Sequence, residues 1–247
     1  MKWILELRDN PIDIKYPVEG MQIADNGSKR GPYFFSIDDT IAALKEFDPS
    51  ESEYMPMPIP PKNTAFITST KDMTQFKVIM DIPKAVQTIR YDAMGNQGVY
   101  FVGFPRTLCA IEVKQGYEGW KVTDSRLFAI EENTKLEAGT KLSHFPFPNV
   151  YKGSREGAIC WGANVLPIFK EIRDLENIFQ MFLQAPFNED LGLRILAKQQ
   201  GMTFHSYLEH LENDGEPKPF NDEDLIPCGM QFGGLMDIKT NNTMEEY

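Results

Sequence analysis

Basic residues are scarce in this chain of 247: 25 Lys and Arg stand against 36 Asp and Glu, a formal charge of −11. Affinity for phosphate comes from clustered cations, so nucleic acid is not an expected partner. Long apolar runs are missing as well. No charge-free stretch exceeds 13 residues, the length of residues 93–105, and a membrane-spanning helix needs ~18 to 20. No membrane partner is expected either. The opening MKWILELRDN has no apolar core region and no small-residue cleavage site, which reads as a cytoplasmic start. Cysteine is sparse: Cys109, Cys160 and Cys228 lie far apart with no C-x-x-C pair, and only His144, His205 and His210 could help them ligate a metal. A disulfide scaffold and a structural zinc site are both excluded by that pattern, and no cofactor is implied.

What the chain does contain is apolar and aromatic material, 42% and 12% of its residues, ample for a packed core. Residues 1–50 read as an N-terminal β-hairpin and helix extension. Short alternating runs at 3–8 and 12–16 flank Asp9-Asn10-Pro11, which is turn chemistry. After a polar loop at 25–31, Ser36-x-x-Asp39 resembles a capping box opening a helix with Ile37, Ile41, Leu44 and Phe47 near one face. Residues 51–63 place four prolines in six positions and read as an extended linker.

Residues 64–212 read as the main domain, of class α+β. Strand-like runs at 66–68, 76–80, 99–104, 108–113, 120–123 and 127–130 are broken by Gly and Pro turns, the pattern of an antiparallel meander. A long helix is expected over 165–184, because Ile168, Ile172, Leu175, Phe179 and Phe182 repeat at spacings of four and three, with Asn164 as cap and Pro167 in the first turn. A second amphipathic helix shows Phe204, Tyr207, Leu208 and Leu211 after Gly201. Residues 213–247 hold 8 acidic and 2 basic residues, a tail expected to be partly mobile.

Between the sheet and the expected helix lies FPFPNVYKGSREGAICWGAN, residues 145–164, neither strand-periodic nor helical. Reactive groups are commonly mounted on loops held between rigid elements. This stretch resembles the active-site region of ubiquitin-conjugating enzymes, in which His-Pro-Asn, Gly and Ile-Cys-Leu-Asp follow one another. Pro148-Asn149, Gly157 and Ile159-Cys160 match. Farther on, FLQAPFNEDLG at 182–192 is similar to that family's Leu-Leu-x-x-Pro-Asn-x-x-Asp-Pro-Leu stretch and aligns Pro186 and Asp190. Pro-Phe-Pro-Asn-Val-Tyr before Gly and Ile-Cys-Trp-Gly looks closer still to the prokaryotic family D of the superfamily, a branch that includes protein B of the plasmid-borne PRTRC systems. The resemblance covers about residues 64–192. It departs from the family at Phe147, where the histidine is replaced, at Trp161-Gly162, which replace Leu-Asp, and in the 11 residues from Asn149 to Cys160, a longer spacing than usual.

The resemblance implies a UBC-like antiparallel sheet packed on a long helix, a thioester carried on Cys160, an oxyanion donor at Asn149 and a proton-accepting carboxylate at Asp190 or Glu189. It implies as partners a ubiquitin-like protein, a ThiF-like adenylating enzyme and a JAB-type peptidase of the same system. The residue types suit that chemistry. A thiolate holds an acyl group in activated form yet yields to an amine, and a helix N-terminus after Cys160 would favour the thiolate. An amide N–H meets the negative charge that builds on the carbonyl oxygen. The alternatives are structural: Cys160 as a small buried side chain, Asn149 as a turn cap, Trp161 as packing, and His144 as a hydrogen-bonded or surface histidine. At the level of the whole chain the alternative is a catalytically inactive UBC-fold binding module, or an assembly subunit in a plasmid or antiviral defence system.

Overall fold

Local signals along the chain build two compact units in the computed structural model, residues 1–57 and 58–247, with residues 2–8, 14–46, 57–93, 95–196, 201–213 and 215–237 described. In the first unit, β1 (Lys2–Leu7), β2 (Val18–Ile23) and β3 (Lys29–Phe35) form an antiparallel sheet in that order. The strand paired with β1 starts at Val18, opposite Leu7, and not at residue 12; the expected turn at 9–11 lies outside the described residues. The polar loop is also shorter than expected. Asn26 Oδ1 accepts from the Ser28 amide and hydroxyl, so the chain turns there and is extended from Lys29. Ser36 caps α1 (Ile37–Glu46) as its sequence suggests: its Oγ accepts from the Asp39 amide at 3.0 Å and donates to the Asp39 carboxylate at 2.6 Å. Residues 51–56 lie outside the described residues, and 57–61 are neither helix nor strand.

The second unit is built on β4 (Thr64–Ser69), β5 (Gln75–Ile82), β8 (Arg106–Gln115), β9 (Trp120–Ile130), β10 (Lys141–His144) and β11 (Pro227–Gln231), after β6 (Ala85–Ala93) and β7 (Asn96–Phe104) leave the sheet as a separate hairpin. The sheet order is β11-β10-β9-β8-β5-β4, antiparallel throughout. The runs expected at 120–123 and 127–130 are one strand, and the run expected at 99–104 pairs in the separate hairpin with β6, which the sequence pattern left out.

Alternation along the central strands divides the core between two faces. Met80, Cys109, Ile111, Leu127 and Ala129 belong to one cluster, with Ile89, Tyr91, Phe147, Phe182 and Phe204. Ile79, Leu108, Ala110, Phe128 and Ile130 belong to the other, with Leu142, Phe232 and Leu235. The acidic C-terminal segment therefore has a structural part: β11 pairs with β10, and Phe232 and Leu235, at the short α4 (Gly233–Met236), cover the second face. Residues 238–247 lie outside the described residues. Among the described residues no helix is long and apolar enough to cross a membrane.

The long helix expected over 165–184 is absent. Val165 to Ile168 carry no helix, Glu171 is extended with φ −131° and ψ 152°, and only then do a 3-10 segment (Ile172–Asn177) and the seven-residue α2 (Ile178–Gln184) follow. The physical reason is a second start signal. Glu171 and Asp174 form a reciprocal capping box, which satisfies the first amides of the 3-10 segment and fixes its beginning there. The apolar stripe survives the break: Ile172, Leu175, Phe179 and Phe182 are buried, whereas Val165 is 93% exposed and Ile168 exposed. The second helix, α3 (Phe204–Asn213), buries Phe204, Tyr207 and Leu208 as its pattern predicts.

The break makes unequal demands on the stripe. Leu175→Ala is expected to lower unfolding free energy by about 3 kcal/mol and Val165→Ala by less than about 0.5 kcal/mol. Urea titrations of the two variants measure this, and equal losses would contradict the broken helix.

Candidate functional site

The site is made by two arms of one loop. After β10, residues 145–150 run out and residues 157–160 run back against β9. Ile159 N–H donates to Ser125 O at 2.9 Å and Leu127 N–H to Gly157 O at 2.8 Å, while Val150 and Ile159 bridge the arms. Cys160 N–H donates to Asn149 O at 2.7 Å and Tyr151 N–H to Ala158 O at 2.8 Å. Gly157 is required at this approach. Its φ is +79°, and a Cβ there would stand 2.5 Å from the Phe128 ring, so any side chain would push the arm off β9. Between the arms, residues 152–156 make a short 3-10 turn over Gly153–Arg155.

Asn149 and Cys160 are thus brought together through the backbone. Cys160 is partly exposed, and its Sγ lies 3.4 Å from the Tyr151 hydroxyl. Asn149 is buried at 6% exposure and holds φ +68°, a left-handed conformation that Asn tolerates better than other residues with a Cβ. Its Nδ2 donates to Pro186 O at 3.0 Å, which joins the loop to the second sequence stretch that resembles the conjugating enzymes. Phe147, standing where that family has histidine, is fully buried, with the Phe104 ring 4.6 Å away and Phe145, Phe204, Tyr207 and Phe220 around it.

The two carboxylates are hydrogen-bonded to groups other than this pair. Asp190 is exposed and accepts from the side chain of Asn188 at 2.9 Å. Glu189 is occupied: its oxygens accept from the Phe204 and His205 amides at 2.8 and 2.7 Å and from the Tyr91 hydroxyl at 2.9 Å, capping the start of α3. That contact adds to burial in pushing Tyr91 up to about 12. Because no helix begins directly after Cys160, the helix-dipole contribution expected there is absent. Asn164 is exposed.

The other thiols are poor nucleophiles. Cys109 is buried in β8, and burial pushes it up to about 12; burial also raises Cys228, whose Sγ donates to Leu142 O at 3.2 Å. Trp161 packs with its Nε1 on Ser125 Oγ at 2.9 Å.

Three residues at the site escaped sequence reasoning. Tyr151 beside the thiol was within the quoted motif and unassigned. Glu156 and Arg194 form a buried tie under the loop: Glu156 Oε1 receives His144 Nδ1 at 2.6 Å and Arg194 Nη1 at 3.3 Å, and Oε2 receives the Gly153 amide at 3.0 Å. Arg194 also donates through Nη2 to Val150 O and through its backbone to Pro146 O. Burial lowers the Arg194 guanidinium from its ordinary pKa, with Glu156 opposing. His144 is accordingly a hydrogen-bonded histidine.

The family described as Prokaryotic E2 family D has a model that matches residues 113–228. The match covers a little under half of the chain, from the end of β8 through the Cys160 loop and α3 into β11, and is a likeness of this region to that prokaryotic E2-like family. No curated protein and no solved structure matches the chain.

Because Phe147 fills an aromatic pocket, restoring the family histidine should damage the fold. Phe147→His is expected to cost about 2 kcal/mol or more, from lost packing and an imidazole buried without a partner. Thermal and urea unfolding check this, and a variant as stable as the parent would contradict it.

Proposed function

We propose that the chain is a ubiquitin-conjugating-like enzyme that carries a ubiquitin-like protein as a thioester on Cys160 and transfers it to an amine. The single observation that carries this reading is the position of Cys160. It is partly exposed on a loop pinned at both arms, inside the matched region, whereas Cys109 is sealed in the sheet and Cys228, also partly exposed, sits in strand β11 with its Sγ on Leu142 O. The Cys160 thiolate attacks the C-terminal carbonyl carbon of the ubiquitin-like protein presented by a ThiF-like adenylating enzyme. A C–S bond forms to Cys160, and the carbonyl's bond to its previous carrier breaks. An amine then attacks the same carbon, the C–N bond forms, and the Cys160 sulfur leaves as thiolate. Asn149 has one Nδ2 hydrogen engaged by Pro186 O and a second available for the oxyanion. Asp190, the exposed carboxylate of its segment, takes the amine's proton in this reading. A JAB-type peptidase that trims or removes the carried protein completes the proposed set of partners. Likeness to protein B of PRTRC systems rests on the residues at 145–162 and belongs to the same proposal.

One observation favours a second reading. Phe147 is core and Asn149 is nine-tenths buried with its amide engaged, which suits an inactive UBC-fold binding module or an assembly subunit of a plasmid or antiviral defence system.

Two variants of Asn149 separate the readings. Asn149→Gly keeps the left-handed backbone and removes the amide, so discharge of a preloaded thioester to an amine should slow by roughly 10²-fold with a small loss of stability. Asn149→Ala adds backbone strain of about 1 kcal/mol to the same slowing. Unchanged discharge in both would assign Asn149 to structure alone. Cys160→Ala should take no reductant-sensitive adduct, and an adduct on that variant would refute the carrier assignment.

A further inference from the structure

The loop that carries Cys160 contains a short turn that reaches back to the thiol's neighbour. The 3-10 turn Gly153–Arg155 carries the Arg155 guanidinium back over the face of Tyr151, with Cζ 3.9 Å from the ring centroid. The same ring directs its hydroxyl at Cys160 Sγ, 3.4 Å away. We propose that Tyr151 is a catalytic hydrogen-bond donor to the Cys160 sulfur, and that Arg155 is a positioning residue that holds its ring in place. This rests on the carrier reading of Cys160 and gives the sulfur a partner which that reading lacks.

The chemistry follows from which atom holds the proton. With a neutral thiol, Sγ–H donates to the phenol oxygen. Once the thiol ionises, the phenol O–H turns to the sulfur and donates to it, and a hydrogen bond to a charged acceptor is worth more than one to a neutral acceptor. The phenol keeps its proton throughout. The contact raises Tyr151 above the ordinary tyrosine value, with the hydrogen bond to Cys160 as the largest cause. The donor acts twice in the cycle. It stabilises the thiolate before the C–S bond forms, and it receives the electron pair on sulfur when the amine's C–N bond forms and the C–S bond breaks. Neither step requires the phenol to ionise. Arg155 contributes by cation–π contact, which restricts the ring, while its charge and hydrogen bond partly oppose the rise of the phenol.

The test needs neither a partner nor ATP. Alkylation of Cys160 by iodoacetamide is followed on the full chain as a function of pH, with peptide mapping to separate Cys160 from Cys109 and Cys228. Tyr151→Phe removes only the hydroxyl. Its profile should move about one pH unit upward: the thiolate fraction at neutral pH falls about tenfold, and after the gain in thiolate reactivity alkylation there slows by about threefold. A thiolate of higher pKa is also the stronger nucleophile, so at the alkaline plateau the variant should react about threefold faster than the parent. The two profiles therefore cross, a signature that loosened packing does not produce. Arg155→Met should move the profile the same way by a smaller amount, with the melting temperature unchanged in both variants. A Tyr151→Phe profile superimposed on the parent's, or one lowered at every pH without crossing, overturns the donor role. Failure of the parent to take a thioester adduct would overturn the carrier reading alone, since alkylation reports on the sulfur and its donor directly.

Discussion

The hydrogen bond from Cys160 N–H to the Asn149 carbonyl, 2.7 Å long, is the contact on which the rest of the site depends. It closes a loop whose outgoing arm would otherwise leave Asn149 and Cys160 independent of each other. The returning arm is held on β9 by backbone bonds at Gly157 and Ile159, so the position of the cysteine is inherited from the central sheet. A strand-edge attachment of this kind fixes the backbone and leaves the side chain at the rim, where Sγ is partly exposed. Rigid support beneath an accessible nucleophile is what acyl transfer between large partners requires.

Two buried groups keep that attachment in place from beneath. Phe145 and Phe147 drive the outgoing arm into the aromatic cluster, and the Glu156–Arg194 tie holds its continuation by accepting or donating at Pro146, Val150 and Gly153. The first is apolar and non-directional, and sets depth. The second is charged and directional, and sets register. Phe147 in place of histidine is then intelligible as a choice of support, an aromatic ring that fills the pocket beneath the loop.

Strand patterning was legible where a short apolar run is bounded by turn residues, as in β5 and β8, whose central residues are buried on both faces of the sheet. β6 was not, since Gln87, Thr88, Arg90 and Asp92 dilute its apolar face and only Ile89 and Tyr91 are buried. The stripe from Ile172 to Phe182 was read correctly as buried and wrongly as part of a continuous helix. Spacings of three and four fit a 3-10 turn feeding a short helix as well as one long helix, and the Glu171-x-x-Asp174 start signal was visible in the sequence. At the site, motif order singled out Asn149, Gly157 and Cys160, which lie on the two arms of one loop. Glu189 was assigned a chemical role by alignment and instead caps α3. Arg194 and Glu156, 38 residues apart, could not have been paired from sequence, because nothing local in either marks a partner so distant.

The central claim is that the Cys160 sulfur accepts the acyl group. Its most direct test is tandem mass spectrometry of the reductant-sensitive adduct sought when the chain is incubated with a ThiF-like adenylating enzyme, ATP and a ubiquitin-like protein. The account predicts a C-terminal glycine joined to the sulfur of Cys160. A linkage at Cys228 or at a lysine, or no adduct on a folded chain with a functioning adenylating enzyme, would contradict it.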